Sequence, residues 1–232
     1  MHDIDIPESV RQRVIARYGT EHPHADLDPA RSALVVIDLQ NGFMKEGVAH
    51  ALVPTAREIA PNVNRIAAAL RETGGRVFWV RNTHDDRCLA DWSAMNGRIR
   101  PEIRDRRAAA SVAGSEGHAL WPELDVRPED AVVDKFRYSA FIQGSSDLPE
   151  RLRAAEVETV IIVGTATNVC CESSARDAMM LNFRTIMVSD ANAAGTDEDH
   201  NAALRLFYLM FGDVMTTDFL ISRLHENAAD AA

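Results

Sequence analysis

The chain has 232 residues and a formal net charge of −10, and 46% of its residues are hydrophobic. This length and apolar content suit one large globular domain with a full core, while the negative charge argues against a nucleic-acid partner. No apolar run approaches membrane-spanning length, and the first residues lack the basic start and apolar stretch of a leader, so we expect no membrane partner and a cytoplasmic location.

The first predicted element is a short amphipathic helix over residues 7–18, which begins with a proline as first helical turns often do. Its apolar residues fall on one stripe: Val10, Val14, Ile15 and Tyr18. A polar stretch then connects it to the rest of the chain. We therefore divide the chain into an N-terminal helical arm, residues 1–31, and one domain, residues 32–232. Such an arm packs on its own core or on a sister subunit, and we expect the second, in a homodimer or homotetramer.

Short β-branched runs alternate with amphipathic helices through the domain, a pattern typical of an α/β fold whose mostly parallel sheet has helices on both faces. The predicted strands are 33–37, 76–82, 131–135, 160–163, 182–190 and 213–217. The predicted helices are 54–73, 148–155, 169–181 and 197–211. No Gly-x-Gly-x-x-Gly turn follows any of these strands, which argues against a dinucleotide-binding oxidoreductase.

The connection formed by residues 87–128 is long and lacks a clear periodicity, so we expect it to carry substrate contacts or a lid. Its arginine-rich stretch, 98–107, has the mixed charges of a solvated face, although one of these arginines could serve a small carboxylate substrate. His84 lies beside aspartates just before this connection. It lacks further histidines or cysteines at recognisable metal-binding spacings, so no metal site is predicted.

The stretch 160–178 carries the strongest functional signal, because it combines a buried apolar strand, a turn and a helix start with Cys170 at the junction. Ligands of parallel α/β sheets bind beyond the carboxyl ends of the strands, and a helix start lowers the pKa of a cysteine placed there. Adjacent cysteines facing a sheet are, by themselves, more typical of a core. The cysteines Cys88, Cys170 and Cys171 lack disulfide-framework spacing, which indicates a reducing compartment.

Two further residues follow strand ends in the same way. Asp38 comes directly after the strand 33–37, and Lys135 ends the strand 131–135. Taken alone, the first is compatible with a turn aspartate and the second with a surface lysine. Since the carboxyl ends of parallel strands share one edge of the sheet, we expect Asp38, Lys135 and Cys170 to converge there. A carboxylate, a cation and a thiol in contact can form an activated nucleophile.

The segments that carry these residues resemble the isochorismatase-like cysteine hydrolase superfamily. They are Ile37-Asp38-Leu39-Gln40, Val133-Asp134-Lys135, and the run from Gly164 to Cys170 followed by Arg176-Asp177-Ala178. The segments 135–141 and 167–170 are most similar to its ureidoacrylate amidohydrolase and N-carbamoylsarcosine amidohydrolase branch. The resemblance implies a Rossmann-like three-layer sandwich around a six-stranded, mostly parallel sheet.

The resemblance also implies roles for individual residues. Cys170 would be the nucleophile, Asp38 the base that takes its proton, and Lys135 the cation that orients both. A non-proline cis peptide would fall at Ala166–Thr167. It would aim the N–H groups of Thr167 and Cys170 at the substrate oxygen, which forms an oxyanion hole.

Differences from the family pattern reduce the number of reactions that we expect of this chain. The metal ligands of nicotinamidases are missing after the second strand, so we expect neither a metal, nor nicotinamide as substrate, nor any cofactor. Isochorismatases that cleave a vinyl ether lack the cysteine found here at position 170, which favours C–N hydrolysis. We expect substrate contacts from residues that follow strand ends or lie in the long connection: Gln40, Asn82, Trp92 and Tyr138.

We therefore predict a metal-independent cysteine hydrolase that cleaves a C–N bond of a small amide, ureido or carbamoyl substrate through a thioester. Two alternatives remain open. One is vinyl-ether hydrolysis of the isochorismatase type, with Asp38 as the acid. The other is a catalytically silent interaction module that uses the N-terminal arm.

Overall fold

The computed structural model describes residues 1–230, except for the side chain of Arg87. The strands are β1 Ser32–Ile37, β2 Arg76–Asn82, β3 Ala131–Lys135, β4 Thr159–Thr165, β5 Arg184–Ala193 and β6 Asp213–Met215. Within the described range these strands form one sheet in the order β3-β2-β1-β4-β5-β6, and every pairing is parallel. Helices cover both faces, so the predicted α/β three-layer sandwich with a six-stranded sheet is confirmed.

The helices agree with the predicted ones in most places. They are α1 Glu8–Tyr18, α2 Asn41–Met44, α3 Thr55–Glu58, α4 Ala60–Glu72, α5 Asp86–Asp91, α6 Ser93–Asn96, α7 Pro101–Ser111, α8 Leu148–Ala154, α9 Glu172–Met180, α10 Asp197–Met210 and α11 Thr217–Asp230. A 3₁₀ turn, Pro29–Arg31, precedes β1, and a π-helical turn, Thr167–Cys171, precedes α9. None of the helices described is both long enough and apolar enough to cross a membrane.

Three differences from the predicted elements have physical causes. The predicted helix 54–73 is divided between α3 and α4, because Pro61 in the first turn of α4 has no N–H with which to continue the preceding helix. The connection 87–128 contains short helices whose apolar residues follow no regular stripe. The amphipathic helix α11 packs on α4 and was not predicted.

Strand β1 is buried on both faces because it lies at the centre of the sheet, between β2 and β4. Leu34 and Val36 point into one core layer, which is filled by side chains of α4 and α11. Val35 and Ile37 point into the other layer, which is filled by α8, α9 and α10. This double burial explains why β1 is a continuous apolar run instead of an alternating one.

The N-terminal segment packs on its own chain. Val14 of α1 is fully buried in the same core layer as α10. The N–H of Asp5 donates to Asn201 Oδ1 at 2.8 Å, and Arg205 Nε donates to the carbonyl oxygen of Asp5 at 2.8 Å. The buried stripe of the arm thus faces its own domain. A contact with a sister subunit and a boundary at residue 31 stay predictions.

The carboxyl ends of β1 and β4 approach each other closely at Gly164. This glycine pairs with Ile37 and has a φ of 124°, which side chains rarely tolerate. A Cβ atom at Gly164 would lie 2.1 Å from the carbonyl oxygen of Ile37. Glycine is therefore required where the two central strands end.

We expect Gly164→Ala to lower the free energy of unfolding by at least about 3 kcal/mol, because the methyl group adds a clash to an unfavourable φ. The matched control is Gly195→Ala, since nothing lies within 4 Å of the Cβ added there, and its effect should stay below about 1 kcal/mol. Urea unfolding followed by circular dichroism measures both. Similar losses in the two variants would contradict the close approach of β1 and β4.

Candidate active site

The order of strands reverses between β1 and β4, and ligands of open α/β sheets bind in the crevice at such a reversal. Asp38 follows β1, the π-helical turn that holds Cys170 follows β4, and Lys135 is the last residue of β3. Asp38 and Lys135 are fully buried, and Cys170 is 6% exposed. Asp38 contacts both of the other side chains. The structure therefore brings the three residues together.

Asp38 and Lys135 form a buried ion pair, with Lys135 Nζ 2.8 Å from Asp38 Oδ2. Lys135 also donates a hydrogen bond to the carbonyl oxygen of Arg137 at 3.0 Å. The ion pair is short but poorly aligned, so neither carboxylate oxygen receives a well-directed hydrogen bond from a described residue. The carboxylate keeps the capacity to accept a further proton or hydrogen bond.

Burial raises the pKa of Asp38, and the neighbouring Lys135 and Cys170 offset only part of that rise. Burial alone would lower the pKa of Lys135, but the charge of Asp38 and the proximity of Cys170 raise it overall. Desolvation raises the pKa of Cys170 to about 12, with Lys135 lowering it and Asp38 raising it. The prediction that the pKa of Cys170 is lowered is therefore wrong, because the loss of hydration outweighs the lowering effect of Lys135. Burial therefore favours the protonated thiol.

The turn after β4 sets the position of Cys170. The cis peptide lies at Thr165–Ala166, directly after the last residue of β4, so its predicted place at Ala166–Thr167 is wrong by one residue. The carbonyl oxygen of Ala166 then accepts hydrogen bonds from the N–H groups of Val169 at 3.1 Å and Cys171 at 3.2 Å. These bonds wind the π-helical turn and direct Cys171 into the core.

The side chain of Thr167, in the same turn, is held by α10. Thr167 Oγ1 and His200 Nδ1 lie 2.8 Å apart, and both residues are fully buried. The ring of His2 stacks on His200 with a centroid distance of 4.3 Å, and His2 Nε2 accepts a hydrogen bond from the N–H of Ala194. Burial lowers the pKa of His200 to about 4. Neutral His200 thus links the N-terminus to the turn.

Gln40 fixes the backbone around Asp38. Asp38 has a φ of 55°, its N–H donates to the carbonyl oxygen of Val80, and its carbonyl accepts from the N–H of Gln40. Gln40 Nε2 donates to the carbonyl oxygen of His118 at 2.8 Å, and Gln40 Oε1 accepts from the N–H of Asn82 at 2.7 Å. The side chain of Gln40 therefore joins the end of β2 to the loop at residue 118.

A cavity of about 280 Å³ is lined by Cys170. Its walls are mostly apolar and include Phe43, Ala51, Val53, Ile99, Ile103, Ala166 and Val169. Its other polar residues are His50, Asn82, Arg107 and Tyr138. Of the predicted contact residues, Asn82 and Tyr138 line this cavity, whereas Gln40 does not. Trp92 packs edge-on against Tyr138, with ring centroids 4.8 Å apart, and lines a neighbouring depression.

Residues 32–219 match the family model of the isochorismatase domain, which covers most of the chain. The chain belongs to the isochorismatase family of hydrolases. It is 31% identical, over 231 residues, to the ureidoacrylate amidohydrolase RutB of Pseudomonas savastanoi pv. phaseolicola, and the alignment spans 93% of this chain and 91% of that protein.

Two solved structures extend the family relationship. A cysteine hydrolase from Pseudomonas syringae pv. phaseolicola 1448A superposes with a TM-score of 0.75 and 26% identity, over 87% of this chain and 96% of that one. An N-carbamoylsarcosine amidase from Thermoplasma acidophilum gives a TM-score of 0.63 and 27% identity, over 81% of this chain and 97% of that one.

Two polar residues of this isochorismatase-family cavity had no individual role in the sequence analysis. His50 follows α2, where no pattern singled it out. Burial, with the charges of Arg107 and Arg106, lowers the pKa of His50 to about 4. Arg107 belongs to the stretch 98–107, in which the sequence did not distinguish one arginine from another.

The described side chains contain no cluster of three or more His, Cys, Asp or Glu that could hold a metal ion. His84 and Asp85, whose place after β2 raised the question of a metal, are not part of such a cluster. Cys88, Cys170 and Cys171 are free thiols.

We expect His200→Gln to make stability less dependent on pH. The pKa of His200 falls from 6.5 to about 4 on folding, so the unfolded chain binds this proton first as the pH drops. Folding stability is therefore lost between about pH 6.5 and pH 4, by about 2 kcal/mol at pH 4.5 from this residue. Glutamine does not titrate, so the variant should lose less folding stability than the wild type between pH 7.5 and pH 4.5.

Urea unfolding at pH 7.5 and pH 4.5 gives this difference. His225→Gln is the control, since His225 has a side chain that is 51% exposed. A pH dependence unchanged by His200→Gln would show that His200 is not held neutral.

Proposed function

We propose that the protein is a metal-independent cysteine hydrolase that cleaves a C–N bond of a small amide, ureido or carbamoyl compound through a thioester. The observation that carries this proposal is the buried contact of Asp38 with Lys135 and Cys170 beside a cavity of about 280 Å³. The names of two relatives, ureidoacrylate amidohydrolase and N-carbamoylsarcosine amidase, support the same bond class.

The first step activates the thiol. Because the pKa of Cys170 is about 12, no thiolate is available in advance at neutral pH, and the proton has to leave as sulfur attacks. The Asp38 carboxylate, whose pKa burial raises, accepts that proton. The S–C bond forms and the carbonyl electron pair moves to oxygen.

The second step breaks the C–N bond. In the proposed oxyanion hole, the backbone N–H groups of Thr167 and Cys170 stabilise the negative oxygen. Protonated Asp38 gives its proton to the leaving nitrogen, which departs as ammonia or an amine, and a thioester to Cys170 remains. Lys135 stays protonated throughout and lowers the cost of a charged Asp38 in a buried site.

The third step regenerates the enzyme. Asp38 accepts a proton from a water molecule as that water attacks the thioester carbonyl carbon. The C–S bond then breaks, and the sulfur regains a proton from Asp38. The acyl product leaves as a carboxylic or carbamic acid. Asp38 thus acts twice as a base and twice as an acid, and it ends in the state in which it began.

We expect Cys170→Ala to lower kcat/KM for ammonia release by at least about 10⁴-fold, as the loss of a nucleophile does in other covalent hydrolases. The assay uses small amides, ureido acids and carbamoyl compounds, with a chelator present. Cys88→Ala is the matched control, because it removes another buried thiol outside the cavity, and it should retain activity within a few-fold.

Two outcomes of this assay would contradict the cysteine mechanism. Full amide turnover by Cys170→Ala would show that the thiol is dispensable. Vinyl-ether cleavage that survives Cys170→Ala but is lost in Asp38→Asn, without amide turnover in the wild type, would favour acid catalysis by Asp38.

The pH profile should report the ionisation of Asp38. We expect kcat/KM to rise with pH through a limb above the ordinary carboxyl pKa of about 3.9, since burial raises the pKa of Asp38. Lys135 lowers that pKa. In the Lys135→Gln variant, the remaining kcat/KM should therefore rise with pH only at a higher pH than in the wild type. Circular dichroism confirms that the variant is folded. A limb that stays in place would exclude Asp38 as the titrating base.

A further inference from the structure

We propose that Arg107 binds a carboxylate group of the substrate, so that the cavity selects small ureido or carbamoyl acids over neutral amides. The choice of the ureido or carbamoyl group rests on the proposed function, because that group is the one that would react with Cys170. The carboxylate site rests on the wall of the cavity itself.

Arg107 is held on the cavity wall by two aromatic rings. Its guanidinium carbon lies 5.4 Å from the ring centre of Trp92 and 5.5 Å from that of Tyr138. These rings meet edge to face, and the guanidinium makes a cation–π contact with each of them. Trp92, which does not line the cavity, would thus act through Arg107 as a positioning residue.

The donors of Arg107 are almost unused. Its Nη1 donates to Met95 Sδ at 3.4 Å, and a thioether is a weak acceptor. Within residues 1–230, no carboxylate forms an ion pair with Arg107. On the same helix, Arg104 pairs with Asp105 at 2.9 Å, and Arg106 donates to the carbonyl oxygen of His50 at 3.0 Å. Of these arginines, Arg107 is the one that combines a place on the cavity wall with free donors.

The positive charge of Arg107 acts on the interior of the cavity. It helps to lower the pKa of His50, after the larger effect of burial, and it also acts on Asp38. Because His50 is neutral, Arg107 is the charged group of the two that would attract an anion. Its Nε2 atom is buried without a hydrogen-bond partner among the described residues, which leaves it available to a ligand.

An anion in this cavity would bind Arg107 and not Lys135. Lys135 is already neutralised by Asp38 at 2.8 Å, whereas Arg107 can form a bidentate, charge-assisted pair with a carboxylate. The apolar walls exclude water and strengthen that pair. Since the chain as a whole carries a net charge of −10, attraction of an anion depends on this local charge.

The test measures binding separately from turnover. Isothermal titration calorimetry in a Cys170→Ala background compares N-carbamoylglycine and 3-ureidopropionate with their methyl esters, which keep the ureido group and remove the charge. We expect each acid to bind at least 10-fold more tightly than its ester, as a charge-assisted pair would give.

Substitutions in the same background then assign the preference to one residue. Arg107→Ala should weaken binding of the acids by about 10- to 100-fold and change the esters by less than about threefold. Arg107→Lys should restore part of the preference, because it keeps the charge but loses the bidentate geometry. Arg104→Ala removes the same charge from the same helix away from the cavity wall and should keep the full preference.

Each remaining outcome overturns the proposal. Acids that bind no more tightly than esters, acids that do not bind, or a preference that survives Arg107→Ala would each exclude Arg107 as the carboxylate site. Ammonia release by the wild type distinguishes a failure of the Arg107 proposal from a failure of the proposed function. If the acids bind more tightly than the esters but no compound is hydrolysed, only the proposed function is contradicted. If esters and acids are hydrolysed equally well, only the Arg107 proposal is contradicted.

Discussion

The architecture of the site depends on one buried ion pair, that between Asp38 and Lys135. Each charge is fully buried, and an isolated charge at such a depth would be costly, since removing one partner of a buried pair typically costs about 3–5 kcal/mol. The pair therefore constrains the carboxyl ends of β1 and β3, which are separated by β2 in the sheet. A parallel arrangement is what places both ends on one edge. The parallel order of the strands and the buried ion pair therefore depend on each other.

The same burial determines where the protons reside. Asp38, Lys135 and Cys170 are all buried, so the charged form of each depends strongly on its neighbours. The carboxylate becomes more basic while the thiol becomes less acidic. In the proposed mechanism, proton transfer from the thiol to the carboxylate is therefore coupled to attack on a bound carbonyl. The same proposal assigns the selection of the carbonyl compound to the other residues that line the cavity, which are the apolar walls, Asn82, His50 and Arg107.

Much of this arrangement could be predicted from the sequence, because it depends on local patterns. The bounds of β2 and β3 follow from their apolar runs, and the convergence of Asp38, Lys135 and Cys170 follows from parallel strands. Other features depend on contacts between distant segments. The main-chain partners of Gln40 and the contacts of Arg107 with Trp92 and Tyr138 have no signature in the sequence. The pKa of Cys170 was predicted in the wrong direction, because the helix start is visible in the sequence but the extent of burial is not.

The protonated state of Cys170 affects how readily this thiol is oxidised. Peroxide and other cellular oxidants react with thiolates, and exposed cysteines of low pKa progress to sulfenic and sulfinic acids. A thiol that is 6% exposed with a pKa of about 12 offers almost no thiolate to such oxidants. Its neighbour Cys171 is fully buried. The desolvation that, in the proposed mechanism, makes Cys170 depend on Asp38 as its base therefore also protects this thiol from oxidation.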